Sequence, residues 1–134
     1  MKKQNVIISA NLKDSLCQAI ESCPHDRLFI LTDETTERLC KPLVSSFSCL
    51  SHATPIIIGA TDTHKTLESL AHVWTELSQQ GGSRKSLLVN LGGGMITDLG
   101  GFAASTFKRG ISYINIPTTL LSMVDAAVGG KKGI

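Results

Sequence analysis

Residues 87–105 read Leu87-Leu88-Val89-Asn90-Leu91-Gly92-Gly93-Gly94-Met95-Ile96-Thr97-Asp98-Leu99-Gly100-Gly101-Phe102-Ala103-Ala104-Ser105. A short apolar run meets a glycine triplet and then a longer segment, which predicts strand, tight turn and helix. The run does not alternate apolar with polar residues, as suits a strand buried on both faces of a parallel sheet. The same unit recurs on either side. Val6-Ile7-Ile8, Leu28-Phe29-Ile30-Leu31, Pro55-Ile56-Ile57-Ile58 and Tyr113-Ile114-Asn115-Ile116 predict four more strands, each followed by a periodic segment. Asn11 is placed to cap the first helix, which carries Leu12, Leu16, Ala19 and Ile20 on one face. The stretch from Asp33 to Phe47 is weakly helical, with Pro42 bending or ending it. Asp62 or Thr63 is placed to cap a helix with Leu67, Leu70, Ala71, Trp74 and Leu77 on its core face, stopped by Gly81-Gly82. Phe102 and Phe107 read as core. Pro117-Thr118-Thr119 opens a last helical stretch running to Gly129-Gly130. Strands alternating with helices predict one α/β domain over residues 1–134, a Rossmann-like parallel sheet with helices on both faces.

The bulk numbers agree with that class. The chain has 134 residues, a net charge of +2, 42% hydrophobic and 18% charged residues. Without a Lys/Arg block, that charge is no electrostatic footprint for nucleic acid. No apolar run is long enough to span a membrane, and the N-terminus lacks the apolar stretch of a signal peptide. Cys17, Cys23, Cys40 and Cys49 form no C-x-x-C pair and no zinc pattern, and they read as reduced cytosolic thiols. The four histidines are dispersed and read as solvated or structural.

Glycine lacks Cβ, so its backbone N–H can approach a ligand closely, and a helix start adds unpaired N–H groups and a positive dipole end. The triplet therefore suits an anion, most often a nucleotide phosphate. A tight turn that merely needs positive φ is the bland reading of the same residues. The dinucleotide fingerprint G-x-G-x-x-G is absent, because Thr97 takes the last glycine's place, and the acidic strand end, Asp33, lies upstream rather than downstream. Gly130-Lys131 is not a P-loop, since Asp125 and Lys132 replace residues that motif requires. Asp98, read as first-turn, either complements the helix dipole or accepts a hydrogen bond from a ligand hydroxyl. Gly100-Gly101 inside a helix costs about 1 kcal/mol per residue against alanine, and the expected return is close approach of the helix to a strand or ligand.

From Gly92 to Lys131 the motifs G-G-G-x-x-x-D, G-F-A-A-S-x-x-x-R-G, P-T-T-L-L, V-D and G-G-K follow in register, and this stretch resembles 3-dehydroquinate synthases. Glycerol and iron-type alcohol dehydrogenases share only the first of these motifs. Thr32-Asp33 resembles a strand-end motif of the family. Asp62 to Lys65 resembles its E-x-x-K, with aspartate one methylene shorter than glutamate. The resemblance covers this chain and roughly the first third of the family's length. It implies an N-terminal nucleotide domain whose helical C-terminal partner domain is absent here. Gly93, Gly94 and Met95 would lie on the pyrophosphate of NAD and Asp98 on the nicotinamide-side ribose. Thr118, Thr119 and Leu121 would line the nicotinamide half, and Asp33, Asp62 and Lys65 the adenosine half. Asp125 and Lys131 would contact a sugar-phosphate substrate and the cofactor. Arg109 would reach a phosphate across a homodimer interface. Lys132 stands where the family usually has threonine.

The implied activity is that of a cytoplasmic lyase of aromatic amino-acid biosynthesis. It converts 3-deoxy-D-arabino-heptulosonate 7-phosphate to 3-dehydroquinate and phosphate with NAD and a divalent metal, zinc or cobalt, whose ligands lie beyond Ile134. On this reading the chain alone is inactive. Two alternatives stand beside it. One is another sugar-phosphate cyclase, of the 2-deoxy-scyllo-inosose synthase type. The other is a stand-alone nucleotide-binding module without catalysis.

Overall fold

The computed structural model describes residues 4–6, 12–45, 47–59 and 66–118. Its five strands are β1 (Gln4–Val6), β2 (Leu28–Asp33), β3 (Thr54–Ile58), β4 (Leu87–Gly92) and β5 (Ser112–Pro117). They form one sheet in the order β1-β5-β4-β2-β3, and every neighbouring pair is parallel. β2 and β4 are adjacent, but the chain leaves β2 outward to β3 and leaves β4 in the opposite direction to β5. The strand order therefore reverses between β2 and β4, which makes a topological switch point.

Two apolar layers enclose the sheet. On one face Leu16 and Ile20 of α1 (Leu12–Ser22), Val44 of α3 (Lys41–Val44) and Leu50 pack on Leu28, Ile30, Val89, Ile114 and Ile116. On the other, Leu70, Val73 and Leu77 of α4 (Thr66–Gln79) and Ile96, Leu99, Ala103 and Ala104 of α5 (Gly94–Thr106) pack on Phe29, Leu31, Ile56, Ile58 and Leu88. β4 is buried along its whole length, so the non-alternating, mostly apolar reading of Leu87–Leu91 corresponds to a strand covered on both sides.

Several local expectations shift. The stretch after Asp33 is two helices, α2 (Glu34–Leu39) and α3, broken at Cys40. Pro42 sits in the first turn of α3, where no N–H partner is needed, so it starts a helix rather than ending one. The buried stripe of α4 is Leu70-Val73-Leu77. Leu67 is 80% exposed, Ala71 is exposed, and Trp74 lies at the rim, its Nε1 donating to Thr106 Oγ1 at 3.1 Å. Heptad-like spacing admits either stripe. The contacts of α4 with β3 and α5 choose the one centred on Val73. Phe102 is 56% exposed because α5 turns its small residues inward, whereas Phe107 is core as expected. The strand expected at Val6–Ile8 is Gln4–Val6. Residues 7–8, both candidate caps around Asn11 and Asp62–Thr63, and the helical stretch after Thr118 lie outside the described residues.

The cysteine reading needs correcting. α1 and the 3₁₀ turn Ser48–Leu50 share one face of the sheet, which brings the Cα atoms of Cys17 and Cys49 to 5.3 Å, and the two are joined as a disulfide. Cys23 and Cys40 are free thiols. The pair is 32 residues apart in sequence, a spacing that carries no local signal of pairing.

Candidate functional site

The carboxyl ends of β2 and β4 lie side by side at the switch point, the position where open α/β sheets bind ligands. β2 ends in Asp33, β4 in Gly92, and Gly93 begins the turn into α5. β2 pairs with β4 as far as Leu31↔Asn90, so Asp33 and the glycine turn leave neighbouring strands at the same edge of the sheet, whichever comes first in the chain.

The glycine triplet divides into two roles. A methyl group on Gly92 would meet Ile96 Cβ at 2.7 Å, so this glycine serves the close packing of β4 against α5. Gly93 and Gly94 have no such reason. Among the described residues, a Cβ on Gly94 would meet nothing within 4 Å, and one on Gly93 only Thr118 Oγ1 at 3.9 Å. Neither has positive φ. Among the described residues, the glycines that do are Gly81 and Gly110. The bland reading, a turn requiring left-handed backbone, is therefore excluded. What remains is an exposed, side-chain-free surface over the start of α5, where Gly93 supplies no side-chain cap to the orphan N–H groups.

Asp98 is the fifth residue of α5, in its second turn, and not in the first turn as expected. Dipole stabilisation fades beyond the first turn, so the bland account of this carboxylate weakens. Asp98 is exposed, with no hydrogen-bond or ion-pair partner among the described residues. With Met95, Leu99, Phe102, Leu67 and Leu70 it lines a largely apolar cleft of about 310 Å³ between α4 and α5. Met95 is 37% exposed there.

Asp33 has a structural task that the sequence reading did not assign. Its Oδ1 accepts the Thr36 backbone N–H at 2.6 Å and caps α2. Thr32, fully buried, donates to Glu37 Oε1 at 2.9 Å, and Glu37 pairs with Lys41 at 3.3 Å, so the end of β2 is tied to α2 and α3. Burial first, and then the Asp33 charge, push the Cys40 thiol above its ordinary range, which makes it a poor nucleophile.

Arg109 does not join this group. α5 spans 13 residues, about 20 Å, and Arg109 lies in the 3₁₀ turn Phe107–Arg109 past its far end, at the base of the sheet. Lys108 (φ 46°) and Arg109 (φ 73°) are both left-handed. The Lys108 ammonium donates to the Gly82 carbonyl at 3.1 Å and lies 5.5 Å from the Phe107 ring centroid, which holds the turn and leaves Arg109 exposed. Asp62, Lys65, Thr119, Leu121, Asp125 and Lys131 lie outside the described residues. No group of three His, Cys, Asp or Glu side chains suited to a metal occurs among the described residues.

One feature that the sequence reading missed is a buried amide pair beneath α5. Asn90 of β4 and Asn115 of β5 are 0% and 6% exposed, and Asn90 Nδ2 donates to Asn115 Oδ1 at 3.0 Å. The available signal was an asparagine inside each of two otherwise apolar strands. Gly100 and Gly101 do provide the close approach expected of them. A methyl on Gly100 would overlap the Asn90 side chain, and one on Gly101 would meet the Tyr113 hydroxyl at 3.3 Å.

A parallel α/β domain with an uncapped, glycine-lined helix start at its switch point is the class that fold and site define. This chain belongs to the 3-dehydroquinate synthase N-terminal family, whose model matches residues 55–134. A 3-dehydroquinate synthase of Parabacteroides distasonis is 54% identical over all 134 residues, which span 38% of that relative's length. In structure the chain resembles 2-deoxy-scyllo-inosose synthase, with a TM-score of 0.70 at 20% identity over 93% of this chain and 35% of that one. It also resembles the 2-epi-5-epi-valiolone synthase of Streptomyces hygroscopicus subsp. jinggangensis with NAD+ and Zn2+ bound, with a TM-score of 0.70 at 27% identity over 94% of this chain and 35% of that one.

Proposed function

We propose that residues 1–134 are the NAD-binding domain of a 3-dehydroquinate synthase, the lyase that converts 3-deoxy-D-arabino-heptulosonate 7-phosphate to 3-dehydroquinate and phosphate. The observation that carries this reading is that Gly93 and Gly94 meet no packing or backbone need among the described residues, at an uncapped helix start on the same sheet edge as Asp33. A pyrophosphate fits that surface. The N–H groups of the first turn of α5 would hold it, with Met95 against the cofactor and Asp98 accepting a ribose hydroxyl. The Asp33 oxygen not used in capping would face the adenosine half with Asp62 and Lys65. Thr118, Thr119 and Leu121 would line the nicotinamide half, and Asp125 and Lys131 would contact cofactor and substrate.

NAD held by these residues would supply reversible hydride transfer at a substrate carbinol. This chain's part is to bind and orient the cofactor. A zinc or cobalt ion would be held by residues outside this chain. With Arg109 about 20 Å from the crevice along α5, its phosphate contact would be made in a second copy, which favours a homodimer. No helix of the described residues is long and apolar enough to cross a membrane, and we place the enzyme in the cytoplasm. Cytosolic reductants would then act on the Cys17–Cys49 disulfide.

Thermal unfolding with added NAD tests the reading, since a ligand that binds only the folded chain stabilises it by RT ln(1 + [L]/Kd). The melting temperature is expected to rise with NAD and less with inorganic phosphate. Asp98→Asn should weaken NAD binding by about 1–3 kcal/mol, the scale of a charge-assisted hydrogen bond, with melting in the absence of NAD nearly unchanged. No rise at millimolar NAD would overturn the proposal.

A further inference from the structure

Asn90 Oδ1 is buried and has no hydrogen-bond partner among the described residues. Leaving such an acceptor unpaired costs stability, and an apolar pair of similar volume in place of Asn90 and Asn115 would be neutral or better. The amide pair is therefore not explained by stability. Its placement offers another explanation. The Asn90 side chain fills the space where a Cβ of Gly100 would stand, so its oxygen lies against the Gly100 Cα–H, a weak donor. On the other side its Nδ2 is fixed to Asn115 on β5. One side chain thus ties β4, β5 and the middle of α5 together.

Elsewhere α5 is held by apolar contacts of Ile96, Leu99, Ala103 and Ala104, of a kind that repack with small losses, by the close packing of Ile96 on Gly92, and near its far end by the Trp74–Thr106 and Ile111–Ala104 hydrogen bonds. The helix start is not anchored by a capping side chain, since Gly93 makes no cap bond. Among the described residues, the buried polar tie beneath the middle of α5 is the Asn90 contact at Gly100.

We propose that Asn90, with Asn115 and Gly100, is a positioning group. It pins α5 in register on the sheet and so sets the N–H groups of Gly94 and Met95 at the height a pyrophosphate requires. Buried polar groups that fix register at some cost in stability are the best-attested use of such pairs. The consequence for the cofactor rests on the NAD reading above, whereas the pinning itself rests on geometry alone.

The test is the double variant Asn90→Val/Asn115→Val in the 134-residue chain, read by amide hydrogen exchange and by NAD titration. Valine suits a strand interior and leaves no unpaired polar atom. Melting temperature should hold or rise, while exchange at residues 97–102, the first hydrogen-bonded amides of α5, speeds up about fivefold or more and that of Leu88 and Val89 stays put. NAD affinity should fall about tenfold. Unchanged exchange at 97–102 overturns the pin. So does acceleration spread evenly over β4, which marks a merely structural pair. If the unaltered chain binds no NAD, the cofactor reading fails, and exchange still decides the pin. Should the double variant not fold, Asn115→Val alone, on the less enclosed side of the pair, is read by the same exchange pattern.

Discussion

Single side chains at the crevice serve two masters, and Asp33 shows how to separate them. Its Oδ1 caps α2, a contact whose loss typically costs about 1 kcal/mol, while its other oxygen remains for a ligand. Asparagine keeps the capping oxygen and removes the charge. Asp33→Asn is therefore expected to melt like the parent yet bind NAD more weakly, whereas Asp33→Ala loses about 1 kcal/mol of stability as well. Equal NAD affinity for parent and asparagine variant, by calorimetry, would reduce Asp33 to a cap. Asp26 offers a second residue-scale expectation. Foremost the Ser83 hydroxyl, and then that of Ser86, hydrogen-bond its carboxylate and hold it below the ordinary aspartate value of 3.8. A group whose folded pKa is depressed stabilises the fold above its unfolded pKa, and that contribution is lost as pH falls through the folded value. Asp26→Asn should therefore flatten the acid side of the stability curve below about pH 4, with little change in its shape near neutrality. An acid limb identical to the parent's in urea melts would show that the two serines are no more than neighbours.

At the scale of elements, α1 and the Ser48–Leu50 turn are joined by chemistry as well as packing. The Cys17–Cys49 bond closes a loop of 32 residues' separation, for which chain entropy gives about 3–4 kcal/mol. Cys17→Ser/Cys49→Ser, or reduction, should lower the stability measured in denaturant by that order while leaving β4, α5 and any NAD affinity in place, because the disulfide lies on the face opposite α5. A parent chain indifferent to reductant would remove the bond from the stability account. The two long helices differ in how much of their packing face is written locally. The α5 stripe was anticipated at its glycines, since Gly100 and Gly101 have no purpose in a free helix. The α4 stripe was not, because Leu67, Trp74 and Val73 are equally good apolar choices until β3 and α5 are in place.

For the molecule as a whole, the expectation is a binding domain that does no chemistry by itself. His25 lies in the loop after α1, His52 before β3 and His72 on α4, and no metal-suited cluster occurs among the described residues. Catalytic zinc takes three protein ligands at about 2.0–2.2 Å. Metal analysis of the untagged chain should find well under one zinc per molecule, and phosphate release from the heptulosonate phosphate with NAD and zinc should stay at background. Stoichiometric zinc together with turnover would mean that these 134 residues build a complete active site.

The parallel sheet was legible in the sequence, because five short, mostly apolar runs separated by helical segments admit few arrangements. So was the glycine turn, because three glycines between strand and helix have few uses. These are local signals, written in the order of neighbouring residues. What no local signal carries is how distant segments meet. Strand order set Asp33 and Gly93 at one edge of the sheet and put Arg109 at the other end of α5. Packing showed that Gly92 serves Ile96 while Gly93 and Gly94 are free, buried Asn90 against Gly100, and joined Cys17 to Cys49. Residue type follows from what a position touches, and for these positions the touching partners come from elsewhere in the chain.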